Sequence, residues 1–217
     1  IQNYSATRAG LLLAPGGLVM MLFFPLAGRI TDTIPAHIPI AVGLLIFSIG
    51  FFLIQAVDVN TTFFVLVIYT AINKVGLSLA IPSLSIAALR AVPPDKLARA
   101  ASASTFFRNL GGGIGITMLT AFFQHRTQFH AEALTETQTW ANQTTRELLG
   151  GIQQLLAGTG LTDTTQMAGA INYLSHMVQA QASTIGFKDT FLAIAVMALF
   201  AVGPAWMIGH GIKRQRA

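Results

Sequence analysis

Residues 33–57 read TIPAHIPIAVGLLIFSIGFFLIQAV, a run without a single Asp, Glu, Lys or Arg. At 1.5 Å per helical residue it exceeds the roughly 20 residues that cross a hydrocarbon core about 30 Å thick. Outward from it, residues 9–28, 109–125 and 190–212 are equally free of those four types, and between Asp58 and Arg90 only Lys74 interrupts the apolar sequence. The pattern predicts an all-α membrane protein with five transmembrane helices, near 8–26, 38–55, 61–89, 100–123 and 188–209.

Composition points the same way. Of the 217 residues 53% are hydrophobic and 10% charged, against roughly 25% charged in an ordinary soluble domain. Mean hydropathy is +0.62, which argues against a soluble globular enzyme. The absence of cysteine from the sequence excludes disulfide frameworks, cysteine metal sites and thiol catalysis within it. The net charge of +5 comes from scattered basic residues. They form no patch, so the expected partner is the lipid bilayer and not nucleic acid.

The charges also set an orientation. Arg29 follows the first predicted span, Arg90, Lys96 and Arg99 follow the third, and Lys213, Arg214 and Arg216 follow the fifth. Under the positive-inside rule these segments are cytoplasmic and the chain's N-terminal end is external. Three parts result: residues 1–123 with four spans, residues 124–187 as a long external helical loop, and residues 188–217 with the last span and a basic cytoplasmic tail. Arg126 and Arg146 do not upset this, because long loops translocate largely regardless of charge. In the loop Met167, Ala170, Ile171, Leu174, Met177 and Val178 recur at helical spacing, which predicts a helix resting on its own protein. Asp163 and Gln166 form the expected capping pair, and Gly150-Gly151 and Gly158-Thr159-Gly160 the expected breaks.

Two ionisable residues fall inside predicted spans. Lys74 lies near the middle of the third, where a lysine costs roughly 2.5–3.5 kcal/mol on insertion scales. Thr70, Lys74, Ser78, Pro82 and Ser85 share a drifting helical stripe beside Asn73, so the lysine is expected to face protein or an aqueous cavity. Two roles stay open for it: a cation satisfied by carbonyls and Asn73 at a helix contact, or a transport-pathway residue. A lysine there disfavours strongly cationic cargo. Ser104, Arg108, Gly111 and Gly115 share a second stripe, where the glycines' missing side chains allow another backbone to approach. A structural helix contact or snorkelling is the favoured role of Arg108, and a gate contact the alternative. Asn109 joins the candidate pathway set with Asn73, Lys74 and Arg108.

Other chemistry is not expected. Gly111–Gly115 is no nucleotide loop, since no strand precedes it and Ile116 stands where G-x-G-x-x-G requires glycine. His125 and His130 lack zinc-site spacing and read as solvated surface histidines; His37, His176 and His210 read as isolated.

Gln2, Tyr4-Ser5-Ala6, Ala9-Gly10-Leu11, Pro15, Pro25, Gly28-Arg29 and Asp32, with Phe107-Arg108-Asn109-Leu110-Gly111-Gly112 and Ile114-Gly115 far downstream, resemble the last five spans of the fourteen-span EmrB/QacA-type drug:proton antiporters of the major facilitator superfamily. The long loop before the last span is similar too. Gly28-x-x-x-Asp32 resembles the superfamily's cytoplasmic loop motif, with Thr33, Pro35 and Ala36 where that motif carries basic residues and a glycine. The resemblance implies that the chain is a piece of a longer transporter whose N-terminal half lies elsewhere. It further implies export of small amphipathic compounds by alternating access, driven by a proton gradient with no other cofactor. A periplasmic adaptor and an outer-membrane channel are implied as partners. With no carboxylate inside a predicted span, the titrating acid is expected in the other half, or Lys74 serves. The alternatives are an exporter of one metabolite or siderophore on the same architecture, and a non-transport membrane subunit.

Overall fold

The computed structural model describes residues 6–58, 61–139, 142–157 and 162–214. Gln2, Tyr4, Ser5, Gly158-Thr159-Gly160 and Arg216, used in the sequence reading, lie outside them. The described residues form six α-helices: α1 (Ala6–Thr33), α2 (His37–Gln55), α3 (Phe63–Arg90), α4 (Leu97–Thr137), α5 (Gln143–Ala157) and α6 (Asp163–Arg214). A single 3-10 turn, Pro94–Lys96, precedes α4.

By length and composition four helical stretches suffice to cross a membrane: Gly10–Thr33, His37–Gln55, Phe63–Arg90 and Asp163–Met207. The uncharged run in α4 is not among them, because Arg108, Asn109 and four glycines dilute its aliphatic residues. Leu11, Leu13, Leu18, Met21 and Leu22 of α1 are exposed, as are Phe64 and Ile68 of α3 and Phe106, Phe107, Ile114 and Ile116 of α4. Apolar surface on this scale calls for lipid or further helices to cover it.

Several predicted boundaries move. α1 continues to Thr33, which puts Asp32 in its last turn and not in a connector. α4 runs to Thr137 and α6 begins at Asp163, so these two helices and α5 make up much of the segment 124–187. Charge-free runs reveal where a helix turns polar, not where it stops. Beyond Phe123 the sequence stays rich in helix formers, and Gln128 donates to Glu132 one turn on at 3.0 Å. The predicted break at Gly150-Gly151 does not occur, since α5 passes through it. Its apolar stripe holds it, with Leu149 4% exposed. At the start of α6 the Thr162 carbonyl accepts from the Gln166 amide at 2.9 Å, and the Thr162 hydroxyl meets that of Thr165 at 2.8 Å.

Two compact units result. One contains α1, α2, α3, α4 up to Met118 and α6 from Thr190; the other spans Leu119–Asp189. In the first, α3 is central to the α1–α3 group and packs against both α1 and α2. Small residues set its contact with α2. A Cβ on Gly76 would lie 2.4 Å from the Phe47 amide nitrogen, one on Gly43 2.7 Å from that of Ala80, and one on Gly50 2.8 Å from the Asn73 Cα. Two backbones this close forbid any side chain at the crossing. α6 joins through Ile40, Ala87 and Ala205, through the Ser48 hydroxyl donating to the Ala195 carbonyl at 2.8 Å, and through Phe51 against Phe191. His37 is not isolated: it meets Trp206 edge to face, with ring centroids 5.5 Å apart.

In the second unit the extramembrane-type ends of α4 and α6 meet at Thr127 and Gly186, where a Cβ on Gly186 would lie 2.5 Å from the Thr127 hydroxyl. Phe123 and Phe187 stack beside this contact at 4.2 Å between centroids. The expected stripe is half realised: Ala170 is fully buried and Met167, Leu174 and Val178 are half-buried, while Ile171 and Met177 stay exposed.

Candidate functional site

Asn73 and Lys74 occupy adjacent positions in α3, about 100° apart around it, and their side chains serve different neighbours. Asn73 is buried, and its amide donates to the Phe47 carbonyl of α2 at 3.3 Å. Lys74 turns to α1. Its stem lies across Gly16, whose Cβ, if present, would meet Cγ at 3.0 Å, Cε at 3.7 Å and Cδ at 3.9 Å. The two residues therefore do not form one polar pair, and Asn73 is not the group that satisfies the lysine.

The hydroxyls of the predicted stripe are committed as well. Thr70 donates to the carbonyls of Leu66 and Val67, both at 2.9 Å, Ser78 to Val75 at 2.8 Å and Ser85 to Ile81 at 3.0 Å. Hydroxyls in an apolar helix satisfy themselves on the preceding turn in this way. Among the described residues no hydrogen bond or ion pair reaches the Lys74 ammonium. Gly16 is the contact that the sequence did not assign to the lysine. Its signal was the doublet Gly16-Gly17 in the middle of an apolar run, of which Gly16 is buried and Gly17 exposed.

Arg108 and Asn109 lie in α4, exposed among the described residues. Nothing comes within 4 Å of a Cβ placed on Gly111, Gly112, Gly113 or Gly115. The face on which Arg108, Gly111 and Gly115 stand is open, and the structure does not bring Arg108 or Asn109 to Lys74 by any described bond.

Gly28 and Asp32 fall in the last two turns of α1, where Asp32 finds a partner that the sequence left unassigned. Arg90, closing α3, donates through Nη2 to Asp32 Oδ1 at 2.6 Å and through Nη1 to the Thr31 carbonyl at 2.8 Å. Beside this fork the Thr31 and Ser83 hydroxyls meet at 2.8 Å, both fully buried. The helix ends of α1 and α3 are thus tied by one arginine fork and one internal hydroxyl pair.

In the unit Leu119–Asp189 a second polar cluster appears. Arg126 Nε donates to Asp189 Oδ2 at 2.6 Å, and His130 Nε2 lies 2.8 Å from the same oxygen. His130 is therefore part of an ion cluster and not a free surface histidine. Nearby an open groove of about 800 Å³ runs along Phe123, Gln128, Glu132, Glu136 and Gln179. Among the described residues no group of three or more His, Asp or Glu is placed to hold a metal ion.

Comparison with known proteins supplies the family. The family model of the Major Facilitator Superfamily matches residues 1–131. Multidrug export protein EmrB of Haemophilus influenzae is 28% identical over 191 residues, 87% of this chain and 36% of that protein. Multidrug transporter protein MdtP of Bacillus subtilis is 31% identical over 126 residues, 58% of this chain and 23% of that protein. Fatty acid resistance protein FarB of Neisseria gonorrhoeae is 25% identical over 210 residues, 94% of this chain and 39% of that protein. The chain spans less than two fifths of the length of these relatives. Its helices, its apolar surface and the match over residues 1–131 make it a membrane protein of the transporter class: the chain belongs to the Major Facilitator Superfamily.

Proposed function

We propose that the intact protein exports small amphipathic compounds across the cytoplasmic membrane by alternating access, drawing on the proton gradient and on no other cofactor. The chain supplies helices of the C-terminal bundle, and the other half of the transporter completes the pathway by rocking against it. Multidrug export proteins among the relatives support the class of activity.

The observation that carries the reading on this chain is Lys74: a lysine several turns from either end of an apolar helix, its stem laid on Gly16 and its ammonium without a partner among the described residues. A charge so placed is costly enough to need a reason, and a pathway residue is that reason. Asn73, Arg108 and Asn109 line or flank the pathway in this proposal, and Gly111 and Gly115 admit a helix from the other half. Asp32 and Gly28 belong to a cytoplasmic contact closed by Arg90. With the chain's N-terminal end outside, the unit Leu119–Asp189 faces the periplasm, where an adaptor and an outer-membrane channel would meet it.

The test is transport by the full-length protein in inside-out vesicles. Fluorescent amphipaths are expected to accumulate when a proton gradient is imposed and to leak back when an uncoupler collapses it. Accumulation indifferent to the gradient, or confined to one metabolite, would turn the reading toward another energy source or toward a dedicated exporter.

A further inference from the structure

The groove of about 800 Å³ in the unit Leu119–Asp189 is walled by α4 and α6. Residues four apart in α4 stack into rows along the helix, and two such rows build it. Phe123, Thr127 and Ala131, buried or half-buried, form the floor, and the exposed Gln128, Glu132 and Glu136 form one wall. Gln179 and Ser183 of α6 stand opposite. No Lys, Arg or His lines it, although the sequence as a whole carries a net charge of +5. Arg126 and His130, on the next face of α4, are turned to Asp189.

The polar groups of the groove are largely uncommitted. Glu132 accepts an amide hydrogen from Gln128 at 3.0 Å, while Glu136, Gln179 and Ser183 make no hydrogen bond or ion pair among the described residues. At the floor Thr127 is 7% exposed and its hydroxyl has no partner. A helix threonine ordinarily bonds the carbonyl one turn back, but this hydroxyl points across to Gly186 of α6. A buried oxygen left open in this way is satisfied when a donor enters. Along the axis of α4, Thr127, Glu132 and Glu136 follow one another at roughly 7.5 and 6 Å, intervals comparable with those between the amines of an aliphatic polyamine. A metal ion fits less well, since no group of three His, Asp or Glu among the described residues is placed to hold one.

We propose that this groove binds a linear aliphatic polyamine, with its ammonium groups on Glu136, Glu132 and the Thr127 hydroxyl and its methylenes over Phe123 and Ala131. A thin, flexible cation suits a long open trough that offers spaced acceptors and no enclosed pocket. The carboxylates supply the attraction, and the orphaned hydroxyl gains the donor that the fold does not give it. The site stands apart from the export reading, because it needs neither a gradient nor the other half of the transporter.

The experiment is equilibrium binding of radiolabelled spermidine to the purified full-length protein in phosphatidylcholine nanodiscs at physiological ionic strength, with empty discs as background. Both faces of a nanodisc are open, so the result does not depend on which side of the membrane holds the groove. Glu136→Gln, an exposed position whose change leaves the fold alone, is expected to weaken binding about fivefold. Gln179→Lys, which sets a cation in the opposite wall, is expected to abolish it, and Thr127→Val to weaken it severalfold. Glu147→Gln removes the same charge from α5, outside the groove, and is expected to leave the affinity unchanged. Binding no greater than that of empty discs overturns the proposal, as does equal affinity in wild type and Glu136→Gln, the result expected if spermidine binds only in a transport pathway. An equal loss in Glu136→Gln and Glu147→Gln would reduce the effect to overall charge and overturn it too. Displacement of spermidine by magnesium at equal concentration would assign the carboxylates to a divalent cation, with the same consequence.

Discussion

Gly76 and Gly115 are the same residue under opposite loads. A Cβ at Gly76 would sit 2.4 Å from a backbone nitrogen of α2, a distance no rotamer change relieves, whereas Gly115 has nothing within 4 Å. Gly76→Ala must therefore push α2 and α3 apart, and overpacking of this kind costs about 1–3 kcal/mol. It is expected to lower the apparent Tm of the protein in detergent by several degrees. Gly115→Ala is expected to leave this chain's Tm unchanged; a drop confined to the full-length protein would assign that face to a helix from the other half. Thr127 bears a third kind of load. Its hydroxyl is buried against Gly186 without a hydrogen-bond partner, and a buried unpaired donor forfeits its water for nothing. Thr127→Val keeps the shape and removes the orphan, so it is expected to stabilise the unit Leu119–Asp189 by about 1 kcal/mol, read as a rise in Tm.

At the scale of elements, α1 and α3 are held by two kinds of contact with unequal worth. The Asp32–Arg90 pair is short but open to solvent, with side chains 67% and 52% exposed, and exposed pairs of this kind contribute at most about 1 kcal/mol. Asp32→Asn is accordingly expected to change Tm little. If the contact closes in one access state, the same substitution slows efflux in the full-length protein, so assaying both separates a gate from a strut. How much of this was legible follows from the physics of each signal. The positions of α2 and α3 were readable to within a few residues, because a charge-free run is bounded by the same turns that bound the helix. The ends of α4 and α6 were not, because a helix that leaves the apolar phase keeps its backbone bonds and changes only its side chains. Lys74 was legible as a charge within an apolar helix from its isolation alone. Its partner Gly16 was not, since a glycine's role depends on what crosses it, and periodicity within one helix does not say which face meets which neighbour. For the same reason Gly111 and Gly115 were expected to make the close crossing that Gly43, Gly50 and Gly76 make. The spacing Gly43-x6-Gly50, two turns along one face opposite Gly76-x3-Ala80, was the signal available for it.

On the scale of the whole molecule, the question that decides the rest is which side of the membrane holds the unit Leu119–Asp189. The basic residues Arg29, Arg90, Lys96 and Arg99 gather where the α1–α2 and α3–α4 connections fall, while the connection between α2 and α3 carries Asp58 and no basic residue. An odd number of crossings then separates Lys96 from the end of α4, provided that α4 crosses despite its glycines. This part of the protein carries no cysteine, so single cysteines introduced into it can be labelled against a silent background. Ser175→Cys in α6 and Lys96→Cys before α4 both fall on exposed positions, and neither side chain makes a contact on which the fold depends. With a membrane-impermeant maleimide on intact cells, Ser175→Cys is expected to react at once and Lys96→Cys only after the cytoplasmic membrane is permeabilised. Protection of both until the cytoplasmic membrane is permeabilised would mean that α4 does not cross. The four apolar helices would then be the full complement, the polar ends of α4 and α6 would lie on the side of Lys96, and the Arg126–His130–Asp189 cluster would face the cytoplasm. In that arrangement Arg108 and the open glycine face of α4 would have no membrane neighbour to meet, and their place in the pathway would fall with the topology.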